Sequence, residues 1–145
     1  MSGIVVGIDG SHNASHALEW AMAEAAIRKV PLTVLTVNEV VASYWTGNPV
    51  LLASDAQRVA EARRAAEEAV AKTAAKLGCE ETVPVTVTAV SGFAGKELID
   101  VSESCDLLVV GTRGGGGFAS LMLGSISSQV VHHARCPVVV VPAGN

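Results

Sequence analysis

Apolar and polar residues follow one another along this chain in blocks that predict strands and helices in alternation. Short runs of Val, Ile and Leu are typical of strands that are buried on both faces of a parallel sheet. Five such runs predict strands at Ile4–Ile8, Leu32–Val37, Val83–Val90, Leu107–Val110 and Pro137–Val141.

The segments between these runs carry apolar residues at helical spacing. In the longest of them, Ser54 and Gln57 have the spacing of a capping box, which predicts a helix start, and Gly78 predicts its end. Val40–Ala53 lacks a clear period and is interpreted as a loop. The predicted helices are Asn13 to about Arg28, Ser54 to Leu77, Phe93–Ser104 and Ser125–Ala134.

Strands that alternate with helices predict parallel βαβ units and a sheet covered by helices on both faces. We therefore predict an α/β fold with a single open, doubly wound parallel sheet of five strands. A chain of 145 residues fits one domain, residues 1–145.

Composition excludes several classes of function. The net charge is −4 and the ten basic residues form no patch, which argues against nucleic-acid binding. No apolar run approaches the ~20 residues that span a bilayer, and the first residues do not resemble a secretory signal. Three widely spaced cysteines predict no disulfide framework, so we expect a cytoplasmic protein. Cys79, Cys105 and Cys136 are interpreted as small buried apolar residues in preference to redox-active ones.

Two strand ends carry residues suited to a ligand. In an open parallel sheet, ligands bind beyond the carboxyl ends of the strands, where the strand order reverses. Asp9-Gly10-Ser11 follows the first strand, and a glycine-rich loop, Gly111–Ser125, follows the fourth. If these two strands are neighbours, both loops open into one cleft.

The glycine-rich loop has features that favour phosphate. Glycines allow main-chain amides to form an anion-binding nest, and Gly124-Ser125 precedes a predicted helix whose N-terminus favours negative charge. Ser125 and Ser127 add hydroxyl groups, and Arg113 adds a candidate charged contact. The alternative is a flexible surface loop in which the glycines bind nothing.

At these residues the chain resembles the universal stress protein family. The ATP-binding branch of that family carries Gly-x2-Gly-x9-Gly-Ser/Thr after its fourth strand, and here Gly111, Gly114, Gly124 and Ser125 fill the pattern. The opening segment 5–11, the strand segment 106–111 and the closing segment 133–141 are also similar to the family, so the resemblance spans nearly the whole chain. Gly115 stands where many relatives carry Arg, which removes one positive contact.

The resemblance implies a Rossmann-like sheet of order 3-2-1-4-5, similar to the adenine nucleotide alpha hydrolases, with ATP in the cleft. It implies that Asp9 contacts the ribose, that Gly7 and Ile8 lie near the nucleoside and that Val37 touches adenine. Mg²⁺ or Mn²⁺ would be carried on the phosphates. The residues implied around the phosphates are Val110, Gly111, Gly114, Gly124, Ser125, Ile126 and Ser127.

The residues needed for catalysis are not evident. The Gly-x4-Gly-Lys-Ser/Thr loop and the Gly-x-Ser-x-Gly elbow are absent, and no lysine follows Lys96. His132 and His133 are adjacent on a helix and so make a poor metal pair, while His12 and His16 lack a third ligand nearby. Slow ATP hydrolysis or autophosphorylation is left open, with no residue supporting it.

Three functions follow as hypotheses. The first is a nucleotide-dependent module for stress response and regulation. The second is a dimeric interaction protein that binds no nucleotide, and the third is a binder of AMP or cyclic AMP. In the order 3-2-1-4-5, Val138–Val141 lies at an exposed sheet edge, and the resemblance implies a homodimer in which this strand pairs with its symmetry mate.

Overall fold

A computed structural model of the chain describes residues 3–9, 14–39, 50–112 and 124–142. Strands and helices alternate along these residues, as the hydrophobic pattern predicts. The strands are β1 Ile4–Ile8, β2 Leu32–Glu39, β3 Val85–Gly92, β4 Leu107–Gly111 and β5 Val138–Val141. The helices are α1 Ala14–Arg28, α2 Val50–Leu77, α3 Ala94–Val101 and α4 Ser125–His133.

The strands form one parallel sheet in the order β3-β2-β1-β4-β5. β1 lies at the centre, where Ile4 is opposite Leu32 of β2 on one side and Leu107 of β4 on the other. The chain first moves outward through β2 and β3, then returns to the other side of β1 for β4 and β5. The strand order therefore reverses between β1 and β4, which confirms the predicted sheet.

Two cores lie on the two faces of this sheet. Because successive strand residues point to opposite faces, Ile4 and Val6 of β1 pack into one core while Val5 packs into the other. α1 and α2 cover the first face, and α3 and α4 cover the second. The prediction of helices on both faces is confirmed. None of the described helices is both long enough and apolar enough to cross a bilayer.

The start of α2 differs from the prediction. The helix begins at Val50, so the interpretation of Val40–Ala53 as a loop is wrong from Val50 onward, and Ser54 lies inside the helix rather than at its cap. Residues 50–53 include two leucines and an alanine, which favour a helix and extend it past the capping pattern. Residues 40–49 lie outside the described residues. At the other end Gly78 follows the helix with φ of +68°, a conformation suited to glycine.

β3 is displaced by two residues from its predicted bounds. Val83 belongs to a turn in which its amide donates to the carbonyl of Cys79. Pro84 has no amide hydrogen, although its carbonyl accepts from Leu32 at 2.9 Å. The ladder with β2 therefore begins at Val85 and continues to Gly92, opposite Glu39.

Candidate functional site

A cleft of about 330 Å³ opens at the carboxyl edge of the sheet, where the strand order reverses. The ends of β1 and β4 form its floor, β2 and α3 form one side, and the first turn of α4 forms the other. This is the position at which open parallel sheets bind ligands, and the volume lies within the usual range for small-molecule sites.

The structure brings the predicted site residues together around this cleft. Two predicted site residues, Arg113 and Gly114, lie outside the described residues, as does Gly115, where the chain departs from the family pattern. All the other predicted site residues line the cleft: Gly7, Ile8, Asp9, Val37, Val110, Gly111, Gly124, Ser125, Ile126 and Ser127.

Four further residues line the cleft and were missed from the sequence: Leu35, Ala94, Leu98 and Thr112. Leu35 could have been found, because it lies two positions before Val37 on the same face of β2. Thr112 directly follows Gly111. Ala94 and Leu98 carry no comparable signal, because α3 reaches the cleft only through the way it packs across the sheet.

The N-terminus of α4 is built to accept an anion. Gly124 is the N-cap residue, and no side chain among the described residues caps the helix. The amide of Ser128 donates to the carbonyl of Gly124 at 2.9 Å, which closes the first turn. The amides that precede Ser128 have no partner within the helix, so this end of the cleft presents N–H groups and the positive end of the helix dipole.

Ser127 holds that helix end against β4. Its side chain is buried, and its hydroxyl donates to the carbonyl of Gly111 at 2.6 Å. The sequence predicted that this hydroxyl would face a phosphate, whereas here its proton is engaged by the main chain. Ser127 is therefore a positioning residue that fixes the first turn of α4 beside the last residue of β4.

Gly7 leaves room for α3 to approach β1. A Cβ atom at Gly7 would lie 2.8 Å from Cδ2 of Leu98, a separation that real Cβ atoms do not reach. Leu98 is buried in the core between the sheet and α3. The absence of a side chain at Gly7 thus lets Leu98 form the wall of the cleft without displacing β1.

Charged side chains are few in the described lining of the cleft. Within residues 3–9, 14–39, 50–112 and 124–142, the lining includes one carboxylate, Asp9, together with hydroxyl and apolar groups, and it includes no lysine or arginine. The same ranges contain no group of three or more His, Cys, Asp or Glu placed to hold a metal ion. The ring of His132 lies 6.5 Å from that of His133, and its Nδ1 is 2.7 Å from the carbonyl of Ser128.

Comparison with known proteins gives a consistent result over nearly the whole chain. The model of the Universal stress protein family matches residues 1–142. A universal stress protein of Mycolicibacterium smegmatis is 34% identical over 139 residues, which is 96% of this chain and 47% of that protein. The chain spans about half the length of the curated relatives it matches.

Solved structures have the same fold. The universal stress protein UspA of Lactobacillus plantarum superposes with a TM-score of 0.77 at 24% identity, covering 97% of each chain. A universal stress protein solved in complex with cAMP superposes with a TM-score of 0.61 at 25% identity, covering 97% of this chain and 95% of that one. The sheet order, the glycine pattern and the match across residues 1–142 together lead to one conclusion: the chain belongs to the universal stress protein family.

Proposed function

We propose that this domain binds an adenine nucleotide, with ATP as the first candidate. It would act as a nucleotide-dependent module in a cytoplasmic stress response. The observation that carries the proposal is the N-terminus of α4, which opens with an uncharged glycine cap into the cleft between β1 and β4. Main-chain amides there would hold the phosphates, in a cleft whose described lining has no basic side chain to do so. The glycine pattern of the sequence implies that Gly114, and Arg113 beside it in the chain, would add phosphate contacts.

The opposite side of the cleft suits a nucleoside. Leu35 and Val37 lie on the same face of the sheet and give an apolar surface on which an adenine ring would pack. Ile8 lines the cleft at the end of β1, although its side chain packs against the core on the other face. Asp9 lines the same cleft at the end of β1, where its carboxylate would accept hydrogen bonds from ribose hydroxyls. The lining thus offers apolar side chains from β2 and main-chain N–H groups from α4, which would suit the base and the phosphates of a nucleotide.

A divalent cation would be held by the nucleotide rather than by the protein. Mg²⁺ is commonly bound through phosphate oxygens, water and one or two carboxylates. Asp9 is the carboxylate that the described lining offers. We propose that Mg²⁺ or Mn²⁺ enters on the phosphates, where it would offset their charge.

Titration calorimetry with ATP, paired with two substitutions at Ser125, tests the proposal. Ser125 is exposed in the first turn of α4. In Ser125→Asp, the helix dipole would stabilise the new carboxylate, so we expect the variant to fold. The carboxylate would repel phosphate, so we expect the affinity for ATP to fall by about tenfold or more. Asn has nearly the same shape as Asp but no charge. We therefore expect the affinity of Ser125→Asn for ATP to stay within a few-fold of that of the parent protein.

The outcomes separate the hypotheses. Equal affinities of the Asp and Asn variants would contradict phosphate binding at α4. A parent protein that shows no saturable binding of ATP, AMP or cAMP would remove the nucleotide role and favour the interaction protein. Tighter binding of AMP or cAMP than of ATP would assign the site to the smaller nucleotide, an outcome that the cAMP complex of a similar protein makes worth testing.

We also propose that the domain forms a homodimer through Val138–Val141. In the described sheet β5 is paired with β4 on one side, and its four valines are half-buried. An apolar edge strand of this kind favours pairing with another strand. A second copy of β5 in antiparallel orientation would satisfy this edge by two-fold symmetry.

A further inference from the structure

Two of the three cysteines meet at the edge of the sheet opposite the cleft. The sulfur atoms of Cys105 and Cys136 lie 3.7 Å apart, although the residues are separated by 31 positions in sequence. Each cysteine stands two positions before a strand, Cys105 before β4 and Cys136 before β5. Since these strands are parallel neighbours, both cysteines lie at the amino edge of the sheet, whereas the cleft lies at its carboxyl edge.

Hydrogen bonds on both sides of the pair hold the two segments in place. The amide of Leu108 donates to the carbonyl of Pro137 at 3.0 Å. The amide of Arg135 donates to Oγ of the buried Ser102 at 2.9 Å. The main chain therefore keeps the two cysteines close together, and a disulfide, with sulfur atoms about 2.05 Å apart, would need mainly side-chain rotation.

We propose that Cys105 and Cys136 form a peroxide-sensitive thiol pair, a modification site at which oxidation closes an intramolecular disulfide between the starts of β4 and β5. The proposal does not depend on nucleotide binding. In a reducing cytoplasm the resting state is the dithiol, and cytosolic disulfides that form transiently are usually catalytic or redox-sensing.

The two cysteines have different environments, which assigns them different roles. Cys136 is the more exposed, so its sulfur meets the oxidant first, whereas Cys105 is only 8% exposed. Burial, reinforced by the neighbouring Cys136, raises the pKa of the Cys105 thiol to about 12. Cys105 therefore keeps its proton while Cys136 reacts with the oxidant. Its sulfur, 3.7 Å from that of Cys136, is placed to act second, as the resolving thiol.

The reaction balances with hydrogen peroxide as the oxidant. The Cys136 sulfur attacks one peroxide oxygen, the O–O bond breaks, and the products are a sulfenic acid on Cys136 and one water. The Cys105 sulfur then attacks the Cys136 sulfur, the S–S bond forms, and the S–O bond breaks. The departing hydroxide takes the Cys105 proton and leaves as the second water, so two electrons pass from the sulfurs to the peroxide.

Peroxide treatment of the reduced full chain, followed by mass spectrometry under non-reducing conditions, tests the proposal. We expect the intact chain to lose two hydrogens, a cross-linked peptide pair containing Cys105 and Cys136, and reversal by dithiothreitol. Cys79→Ser is the matched control, because Cys79 is as buried as Cys105 and belongs to no cysteine pair among the described residues. This variant should form the same cross-link.

Single substitutions separate the roles of the two thiols. In Cys105→Ser, Cys136 should stop at the sulfenic acid, which dimedone traps, and in Cys136→Ser, Cys105 should remain unmodified. Circular dichroism verifies that each variant is folded. If Cys105→Ser does not fold, Cys136→Ser still tests the proposal, because Cys136 is the more exposed of the two residues. Oxidation of Cys136 to sulfinic acid without a cross-link in the parent chain would overturn the proposal. So would a cross-link that forms only between chains or only in urea.

Discussion

Two short contacts between single residues keep the cleft in shape. The Ser127 hydroxyl joins the first turn of α4 to the end of β4, and the missing side chain of Gly7 admits Leu98 of α3. Neither contact needs to touch a ligand in order to affect ligand binding. Each one sets the position of an element that forms a wall of the cleft, and each can be tested by its effect on stability.

Removal of the Ser127 hydroxyl should destabilise the fold. Ser127→Ala removes this donor from the carbonyl of the half-buried Gly111, and the expected loss in the free energy of unfolding is about 1 kcal/mol. Ser125→Ala is the control, since Ser125 is exposed in the same turn and its loss should change stability by about 0.5 kcal/mol or less. Urea denaturation measures both. Equal stability of the two variants would mean that Ser127 does not hold α4 in place.

A methyl group at Gly7 should be costly, and its cost should depend on Leu98. Gly7→Ala places Cβ 2.8 Å from Leu98 Cδ2, so the buried Leu98 side chain must shift within the core, at about 1–3 kcal/mol of stability. Leu98→Ala removes the clash and creates a cavity of its own. A double-mutant cycle in urea should show the double variant less destabilised than the sum of the single variants. Strict additivity would contradict the close approach.

At the scale of elements, β4 and β5 connect the cleft with the cysteine pair. The carboxyl end of β4 contributes to the cleft, while Cys105 and Cys136 precede the amino ends of β4 and β5. The chain between the two cysteines includes β4, the glycine-rich loop and α4. The length of the strands separates the two sites, so we expect the cysteine pair to be oxidised without a change in the residues that line the cleft.

Burial of Cys105 at the start of β4 predicts a dependence of stability on pH in the reduced chain. The folded state holds this thiol proton up to a pKa of about 12, whereas the unfolded chain releases it near the usual value of 9.0. Between these values the unfolded state binds fewer protons, so the contribution of Cys105 is complete below about pH 9 and is lost as the pH rises towards about 12.

Urea unfolding of the parent chain and of Cys105→Ala, under reducing conditions from about pH 8 to about pH 11, measures this contribution. Titrating groups distant from Cys105 are common to both proteins and cancel in the difference, so the difference reports Cys105 together with its neighbour Cys136. The free energy of unfolding of the parent should fall more steeply with pH than that of the variant. Parallel curves would show that the thiol has no raised pKa in the folded state.

At the scale of the whole molecule, the open edge of β5 determines how two copies could associate. The amide of Leu108 donates to the carbonyl of Pro137, and the amide of Thr112 donates to the carbonyl of Val141. These bonds place the odd-numbered residues of β5 towards β4. In a parallel ladder the alternate residues, Val138 and Val140, then present their main-chain groups to the open edge.

Proline at position 140 should therefore separate the proposed dimer without breaking the β4 ladder. Val140→Pro removes an outward amide hydrogen, and proline is tolerated on edge strands. Val140→Thr keeps both the amide and the β-branched shape, so it is the matched control. Sedimentation at micromolar concentration should show the parent and Val140→Thr as dimers and Val140→Pro as a monomer. A parent chain that sediments as a monomer would contradict the interface.

The hydrophobic pattern of the chain was sufficient to predict the alternation of strands and helices and the sheet with two covered faces. Strands buried on both sides must be apolar throughout, and that requirement is visible in any short window of sequence. The spacing of the glycines and Ser125 likewise marked the end of β4 and the start of α4. The strand order itself came from the resemblance to a family, because local periodicity does not specify which strands are neighbours.

Only the tertiary structure determined the contacts between residues that are distant in sequence. The pairing of Cys105 with Cys136, the space that Gly7 leaves for Leu98 and the engagement of the Ser127 hydroxyl by Gly111 all depend on how strands and helices pack. The start of α2 was also missed, because a capping pattern at Ser54 competed with a longer run of helix-forming residues. Periodicity reports the environment of one element at a time, whereas these features arise where two elements meet.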